Sequence, residues 1–588
     1  MILTSSSISS YDDDPLGRGR APILTSGTRG TTSQMSTENA EPAVGTLPGR
    51  APLTESYWPA DTSIDLDRTT VGELLRRAAD QVPDRIALVD GTVDPADRRR
   101  WTYAELLEIA EQVADALLAR FEPGERLAIW EINRPEWVML QLGAALAGVV
   151  VVTVNPQYRI DELRYVLEQA EVSGIAHGAE HRGVSMNDLV AHALPAVPRV
   201  RHVIRFDDWE RFLASGTGRR EFPDVSPDDD CMIIYTSGTT GFAKGALLHH
   251  LGVVNASSLS AQRANFRDGD CWINPIPLFH TGGGVLGSIG TLARRGRQVV
   301  VPQFEPGLVL DLIENEGGNL IVTVPTILIA LLDHPDRPSR DLSSMRTIMC
   351  GGAKVPEDLV RRTNEIVGCD FSILFGQAEM HGVLTQSLPT DSPQDQATTL
   401  GIPLVHVEVK VADPVTGEPV PIGQPGEICA RGYQTMREYF RMDEATAATI
   451  DRDGWLRSGD VGTMDERGYL QIAGRIKDII IRGGENIHPL EIEELLIHHP
   501  GIAEVAVIGI PDSHWGEQVA AVVRANGAPP TAEELHAYCR ASLAPFKTPK
   551  LWYFVDEFPM TPSGKIRKVE LRSGVAHGSL GDPLVAAR

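Results

Sequence analysis

Cysteine is scarce and scattered in this chain. Six cysteines (231, 271, 350, 369, 429 and 539) are spread over 588 residues, and no two form a C-x-x-C pair. That spacing argues against a zinc ribbon or a disulfide framework and fits a reducing, cytoplasmic setting. Basic charge is also in deficit: 54 Lys and Arg face 79 Asp and Glu, a formal net charge of −25. So acidic a surface disfavours nucleic acid or anionic membrane as a main partner, although local basic sites can still hold ATP. No basic start followed by an apolar core marks a secretory leader. Long charge-free runs are rare as well. The notable one, Trp137 to Tyr158, is long enough to span a bilayer. It carries Gln141, Thr153, Asn155 and Pro156, and Val149–Val154 is β-branched throughout. It therefore predicts a buried helix followed by a buried strand, with no transmembrane segment.

What is present is ordinary for a globular chain, 42% hydrophobic and 23% charged. At 588 residues it is too long for one compact core, so two or more domains are expected. Residues 1–56 are rich in Ser, Thr, Gly and Pro and read as a disordered extension. Met35 opens the run MSTENAEP, so the native start is expected there. From Val71 the pattern alternates: helix 72–81, strand 86–89, helix 103–120, strand 126–130, helix 137–148, strand 149–154 and helix 160–170. Such alternation predicts an α/β fold with parallel sheets covered by helices. Between Gly401 and Gly432, short strands with Pro/Gly turns predict a small β-rich subdomain. After Gly474 come helix 489–498, strand 503–510, helix 532–544 and strand 552–555, a separate α+β unit.

The chemistry concentrates first in Tyr235-Thr236-Ser237-Gly238-Thr239-Thr240-Gly241-Phe242-Ala243-Lys244-Gly245, directly after the apolar run Cys231–Ile234. A strand entering a loop of glycines, hydroxyls and one lysine is suited to wrap phosphate: glycine N–H groups approach closely, and lysine adds positive charge. It is not a Walker A loop, because Lys244 is followed by Gly245. A flexible Ser/Thr/Gly surface turn is the bland alternative. The stretch resembles the phosphate-binding loop of the adenylate-forming superfamily, which includes acyl-CoA synthetases, peptide-synthetase adenylation domains and luciferases. Ala243 stands where that family usually has proline.

Further motifs resemble the same family in order along residues 57–573. Asn274–Gly284 (NPIPLFHTGGG) resembles the motif that places an aromatic or His280 near the acyl pocket. Its Gly282, Gly284 and Gly287 also satisfy G-x-G-x-x-G, a pattern that tight helix packing explains equally well. Gly351-Gly352-Ala353 and Phe375-Gly376-Gln377-Ala378-Glu379 resemble the adenine-binding motifs. The resemblance implies that Phe375 stacks on adenine and that Glu379, with Thr236, holds Mg²⁺, a hard cation that prefers oxygen. Ala378 replaces the usual threonine, and one lost hydrogen bond to a charged group is worth about 1.5–3 kcal/mol. Gly454–Asp460 resembles the motif whose carboxylate, here Asp460, accepts the ribose hydroxyls. Gly474–Asp478 resembles the hinge, with Arg475 near ribose or phosphate and Lys477 as the pivot. Arg482–Ile487 resembles the segment whose glycines, Gly483 and Gly484, line the pantetheine channel. Pro559–Lys565 resembles the motif carrying the catalytic lysine, Lys565.

The resemblance implies an adenylation domain over 57–474, a hinge at 475–478, a mobile C-terminal domain over 479–573 and a tail over 574–588. It further implies an enzyme that uses ATP, Mg²⁺ and coenzyme A to turn a carboxylic acid into its thioester. The phosphate loop would be Thr236–Gly241 with Lys244, and the catalytic groups Lys565, Glu379, Thr236 and His280. Segments 280–290 and 322–332 contain no Asp, Glu, Lys or Arg, which predicts an apolar pocket for a medium- or long-chain fatty acid. An aryl acid, a carrier protein as acceptor, or a non-catalytic nucleotide-binding homologue are the alternatives. Acetylation of Lys565 is expected to switch off adenylation. No motif specifies an oligomeric state.

Overall fold

The computed structural model describes residues 51–219, 221–236, 243–512, 514–560 and 566–586. Two large sheets organise most of the chain. A seven-stranded sheet runs in the order Glu438–Tyr439, Lys244–His249, Asp230–Thr236, Val150–Val154, Arg126–Trp130, Gly174–His177 and His202–Arg205. From Asp230–Thr236 onward its neighbours are parallel. A nine-stranded sheet has a parallel centre made of Asp370–Phe375, Thr347–Gly351, Leu320–Thr323, Cys271–Asn274, Arg297–Val300 and Ile86–Asp90. Antiparallel strands close its two edges. The fold is α/β, as the alternation predicts.

The charge-free run resolves as expected. Pro135, preset for the first helical turn, starts the helix Pro135–Ala147, and Gly148 ends it in the left-handed region at φ 66°. Every residue of that helix is buried, and Val150–Val154 follows as a fully buried inner strand. Buried on both faces, such a strand needs no polar alternation. Gly143 lets the helix meet Tyr103–Leu118 closely, since a Cβ there would lie 2.3 Å from Val113 Cγ1. Leu127 and Ile129 from one sheet, and Leu88 and Trp272 from the other, share a single core with these helices. Among the described residues no helix is long and apolar enough to cross a membrane.

The β-rich part is a five-stranded sheet in the order Tyr57–Trp58, Val407–Ala412, Gly426–Gly432, Leu456–Met464 and Leu470–Arg475, so four of its strands come from 407–475 and one from near residue 57. A further sheet carries the C-terminal unit, with the long hairpin Ile502–Asp512 and Gly516–Ala525 at its centre. Two ends differ from the sequence reading. Residues 51–56 are ordered: the Leu53 amide donates to Glu466 O (2.8 Å) and that of Ser56 to Val420 O (3.0 Å). The tail after 573 continues the helix Lys568–Ala576, and Leu584–Val585 pairs with Leu551–Trp552 as an edge strand. Backbone pairing overrides composition in both places, because a short segment beside an open sheet edge satisfies N–H and C=O groups that would otherwise stay unpaired.

Candidate active site

One cavity of about 1110 Å³ collects the loops that follow the parallel strands of both sheets. Ile132–Asn133, Asn155–Gln157 and Thr236 come from the first sheet; Pro275–Pro277, Phe279–Gly282, Pro302–Phe304, Val324, Gly351–Gly352 and Gly376–Glu379 come from the second. Ligand crevices in open α/β sheets form at such carboxyl ends of strands. Arg457–Gly459 and Arg475–Lys477 from the β-rich part and the hinge complete its wall.

At one end stands Glu379, only 8% exposed, in the turn Ala378–Met380. Its carbonyl accepts from the Met436 amide (2.8 Å), and its Oε1 accepts the Tyr439 O–H at 2.6 Å. Thr236 Oγ1 lies 3.5 Å from the same oxygen. Lys244 places its ammonium 4.7 Å from the centroid of the Tyr439 ring. Burial, then the Glu379 charge, pushes the Tyr439 phenol well up, so it stays protonated and donating. A carboxylate and a hydroxyl at the edge of a cavity fit Mg²⁺, which completes its shell with water and phosphate oxygens. Among the described residues, no group of three or more His, Cys, Asp or Glu could cage a metal by itself.

Asp460, 3% exposed, sits just outside the cavity lining, beside the lining residues Ser458 and Gly459. Gln377 Nε2 donates to its Oδ2 (2.7 Å) and to Ser458 O (2.9 Å), while Arg475 Nε lies 2.9 Å from Oδ1. The strands bring Asp460 and Arg475 directly opposite one another. Lys477 follows in the single turn Ile476–Asp478. It opens onto the cavity yet is crowded by protein, and desolvation, helped by Arg475, pulls its pKa down to about 8. Asp478 is tied to Arg572 at 2.9 Å.

The third region is apolar. Ile132, Ile276, Phe279, Leu286, Phe304, Val322, Val324 and Ile327 line it, with His280 alongside. Phe279 and His280 pack ring to ring at 4.6 Å between centroids. Asn133 fixes this loop: its Nδ2 donates to Ile276 O (3.0 Å) and Val301 O (3.1 Å), and its Oδ1 accepts the Leu278 amide (2.7 Å). The glycines that follow lie in a π-helical turn, Thr281–Gly287. Of the pattern's glycines, a Cβ at Gly284 would fall 2.2 Å from Leu278 O, one at Gly287 2.6 Å from Asn274 Nδ2 and one at Gly282 3.2 Å from Ile276 Cγ2. Close packing therefore accounts for the G-x-G-x-x-G pattern. Gly284→Ala should cost about 1–3 kcal/mol, read as a lower thermal unfolding midpoint; an unchanged midpoint would mean the turn gives way freely.

Of the residues singled out from the sequence, Thr236, Lys244, His280, Gly351, Gly352, Gly376, Gln377, Glu379, Arg475 and Lys477 line this one cavity. Phe375 and Ala353 are not in its lining; Phe375 packs against the large core. Gly483 and Gly484 make the turn between Ile480–Arg482 and Glu485–Ile487, also outside the lining. Ser237, Gly238, Thr239, Thr240, Gly241 and Lys565 lie outside the described residues. Sequence reasoning missed Asn133, Glu427 and Tyr439.

Comparison with known proteins agrees with this geometry. Residues 75–440 match the model of the AMP-binding enzyme family, and residues 491–565 that of the AMP-binding enzyme C-terminal domain. The chain belongs to the AMP-binding enzyme family. Within this adenylate-forming group it is similar to acyl-CoA synthetases. It is 36% identical over 538 residues to the putative acyl-CoA synthetase YngI of Bacillus subtilis (strain 168), covering 86% of this chain and 97% of that one. It is 34% identical over 553 residues to the mitochondrial medium-chain acyl-CoA ligase ACSF2 of Danio rerio, covering 88% and 90%. The structure of ATP-bound MatB from Rhodopseudomonas palustris superposes with a TM-score of 0.78 at 31% identity, covering 86% of this chain and 99% of that one. The large N-terminal part and smaller C-terminal part are thus those of an adenylate-forming enzyme.

Proposed function

We propose that this AMP-binding enzyme joins a medium- or long-chain fatty acid to coenzyme A at the expense of ATP. The observation that carries this reading is one cavity with a phosphate end (Thr236, Lys244, Glu379), a ribose wall (Gln377, Arg475, Ser458) and an apolar arm. At about 1110 Å³ it exceeds the roughly 300–1,000 Å³ typical of a single-ligand pocket, as two substrates require. The charged lining residues lie at the nucleotide side and the mouth; the arm from Ile276 to Ile327 has none.

In the first step a carboxylate oxygen attacks the α-phosphorus, the α–β P–O bond breaks and pyrophosphate leaves. Thr236 and Lys244 bind the polyphosphate, and Lys565 offsets charge as the carboxylate approaches. Mg²⁺, when bound, supplies further screening of phosphate charge, with Glu379 and Thr236 as its protein ligands. Asp460, Gln377 and Arg475 orient the ribose. In the second step the thiol sulfur attacks the acyl carbon, the acyl–phosphate C–O bond breaks, AMP leaves and the thiol proton passes to solvent. The C-terminal unit turns about Lys477 between the steps, withdrawing Lys565 and presenting Gly483–Gly484 to the pantetheine arm, a hinge motion that assembles a second site.

The test is pyrophosphate and thioester formation with acetate, octanoate, palmitate, benzoate and cinnamate, each with and without coenzyme A. A thioester yield peaking at one aliphatic chain length is the expected result. A preference for benzoate or cinnamate would place an aryl ring against the Phe279–His280 pair and overturn the fatty-acid assignment. Pyrophosphate without thioester would make a carrier protein the acceptor.

A further inference from the structure

We propose that Glu427 is a positioning residue for the nucleotide ribose, acting through the turn Ser458–Asp460. This rests on the reading of Asp460 as the ribose carboxylate. Glu427 lies on the strand Gly426–Gly432, beside Leu456–Met464. The ladder between them is interrupted: Glu427 faces Val461, whereas Cys429 faces Arg457, so Ser458, Gly459 and Asp460 bulge out of register. A bulge leaves backbone groups without ladder partners, and a side chain takes over here. Glu427 Oε1 accepts the Gly459 amide at 3.1 Å, with Gly459 in the left-handed region at φ 71°. Glu427 Oε2 accepts Arg457 Nε at 2.7 Å, and Arg457 Nη2 reaches Pro414 O at 2.8 Å. Glu427 is 4% exposed and lines the cavity beside Arg457, Ser458 and Gly459.

The turn is therefore held from two sides. Gln377 fixes Ser458 O and Asp460 Oδ2 from the nucleotide side, and Glu427 fixes the Gly459 amide from beneath. A buried carboxylate with one oxygen on the bulge and the other on Arg457 just before it does more than fill space. It sets where the Asp460 backbone emerges, and so how the Asp460 carboxylate meets the sugar. Without it the Gly459 amide is unpaired and the turn can relax to another bulge geometry.

The experiment compares ATP with 2′-deoxy-ATP and 3′-deoxy-ATP in pyrophosphate release by the full-length enzyme, for wild type, Glu427→Ala, Glu427→Gln and Glu427→Asp. Wild type should favour ATP in kcat/KM. In Glu427→Ala the KM for ATP should rise about ten-fold or more, the scale of a lost hydrogen bond to a charged group, with the ATP/deoxy-ATP ratio collapsing toward one. Glu427→Gln, whose amide oxygen can still accept from Gly459, should restore most of that ratio. Glu427→Asp keeps the charge facing Arg457 but falls short of Gly459, so it should resemble Glu427→Ala; it also serves if the alanine variant does not fold. Equal losses with all three nucleotides, leaving the ratio intact, would reduce Glu427 to a structural role and overturn the proposal. A wild type that does not distinguish ATP from either deoxy analogue would overturn the ribose reading of Asp460, and this proposal with it.

Discussion

Glu379→Gln is expected to cut kcat/KM for pyrophosphate release by about 10²–10³-fold, the range found when one preorganised charge-stabilising group is lost. The substitution is nearly isosteric. Its amide oxygen can still accept the Tyr439 hydroxyl that now lies 2.6 Å from Glu379 Oε1, so folding should survive and the unfolding midpoint should stay near wild type. What disappears is the negative charge beside Thr236, the feature that suits this corner of the cavity to a hard divalent cation. The loss should therefore carry a rise in the Mg²⁺ concentration needed for half-maximal rate, and weaker binding of MgATP but not of metal-free ATP by calorimetry. Glu379→Ala should do the same and also destabilise, because it strands the buried Tyr439 O–H. A Glu379→Gln enzyme with wild-type rate and wild-type Mg²⁺ dependence would remove Glu379 from the metal site.

The strands of this fold were legible because buried parallel strands are continuous apolar runs. Strand Arg126–Trp130 begins and ends where the pattern places it, and the expected 149–154 strand begins one residue later, at Val150. Lys244 opens the strand Lys244–His249, and Glu379 lies in the turn just after Asp370–Phe375. These and the hinge were legible from motif likeness, with a Gly, Ser and Thr cluster after an apolar run adding to it at Lys244. Tyr439 was not. It belongs to the two-residue edge strand Glu438–Tyr439, which pairs with Lys244–His249 from far earlier in the chain. No local periodicity announces so distant a pairing, yet that pairing is what puts its hydroxyl on Glu379. Phe375, which motif likeness points at adenine, ends the strand Asp370–Phe375 half-buried against the core, and Gly376 and Gln377 form the cavity wall just after it. Glu427 falls in the stretch between Gly401 and Gly432 that the pattern marks only as short strands with Pro/Gly turns. Only the bulge opposite it reveals a partner for each oxygen.

Lys565→Ala should separate the two half-reactions. In the first, negative carboxylate approaches negative triphosphate, and the nearby cations decide the barrier. Lys244 and Arg475 line the cavity, and Lys477, its pKa lowered to about 8, is only partly charged above neutrality. Those groups sit at the phosphate end and the hinge, so removing Lys565 should slow acyl-adenylate formation by about 10²–10³-fold, again the scale of one lost electrostatic contact to the transition state. The second half-reaction brings no carboxylate toward a triphosphate: the thiol sulfur attacks the acyl carbon, and the charge that develops falls on the departing AMP. Synthetic acyl-adenylate supplied with coenzyme A should thus give thioester at close to the wild-type rate. Lysine acetylation at 565 removes the same charge and should reproduce this split, with deacetylation restoring the first step. The discriminating measurement is single-turnover thioester formation from acyl-adenylate beside pyrophosphate release from acid and ATP. If both rates fall together, Lys565 serves the two steps alike and the turning of the C-terminal unit about Lys477 does not exchange one catalytic segment for another. If only the first falls, Lys565 serves adenylation alone, as the proposed turn about the hinge requires.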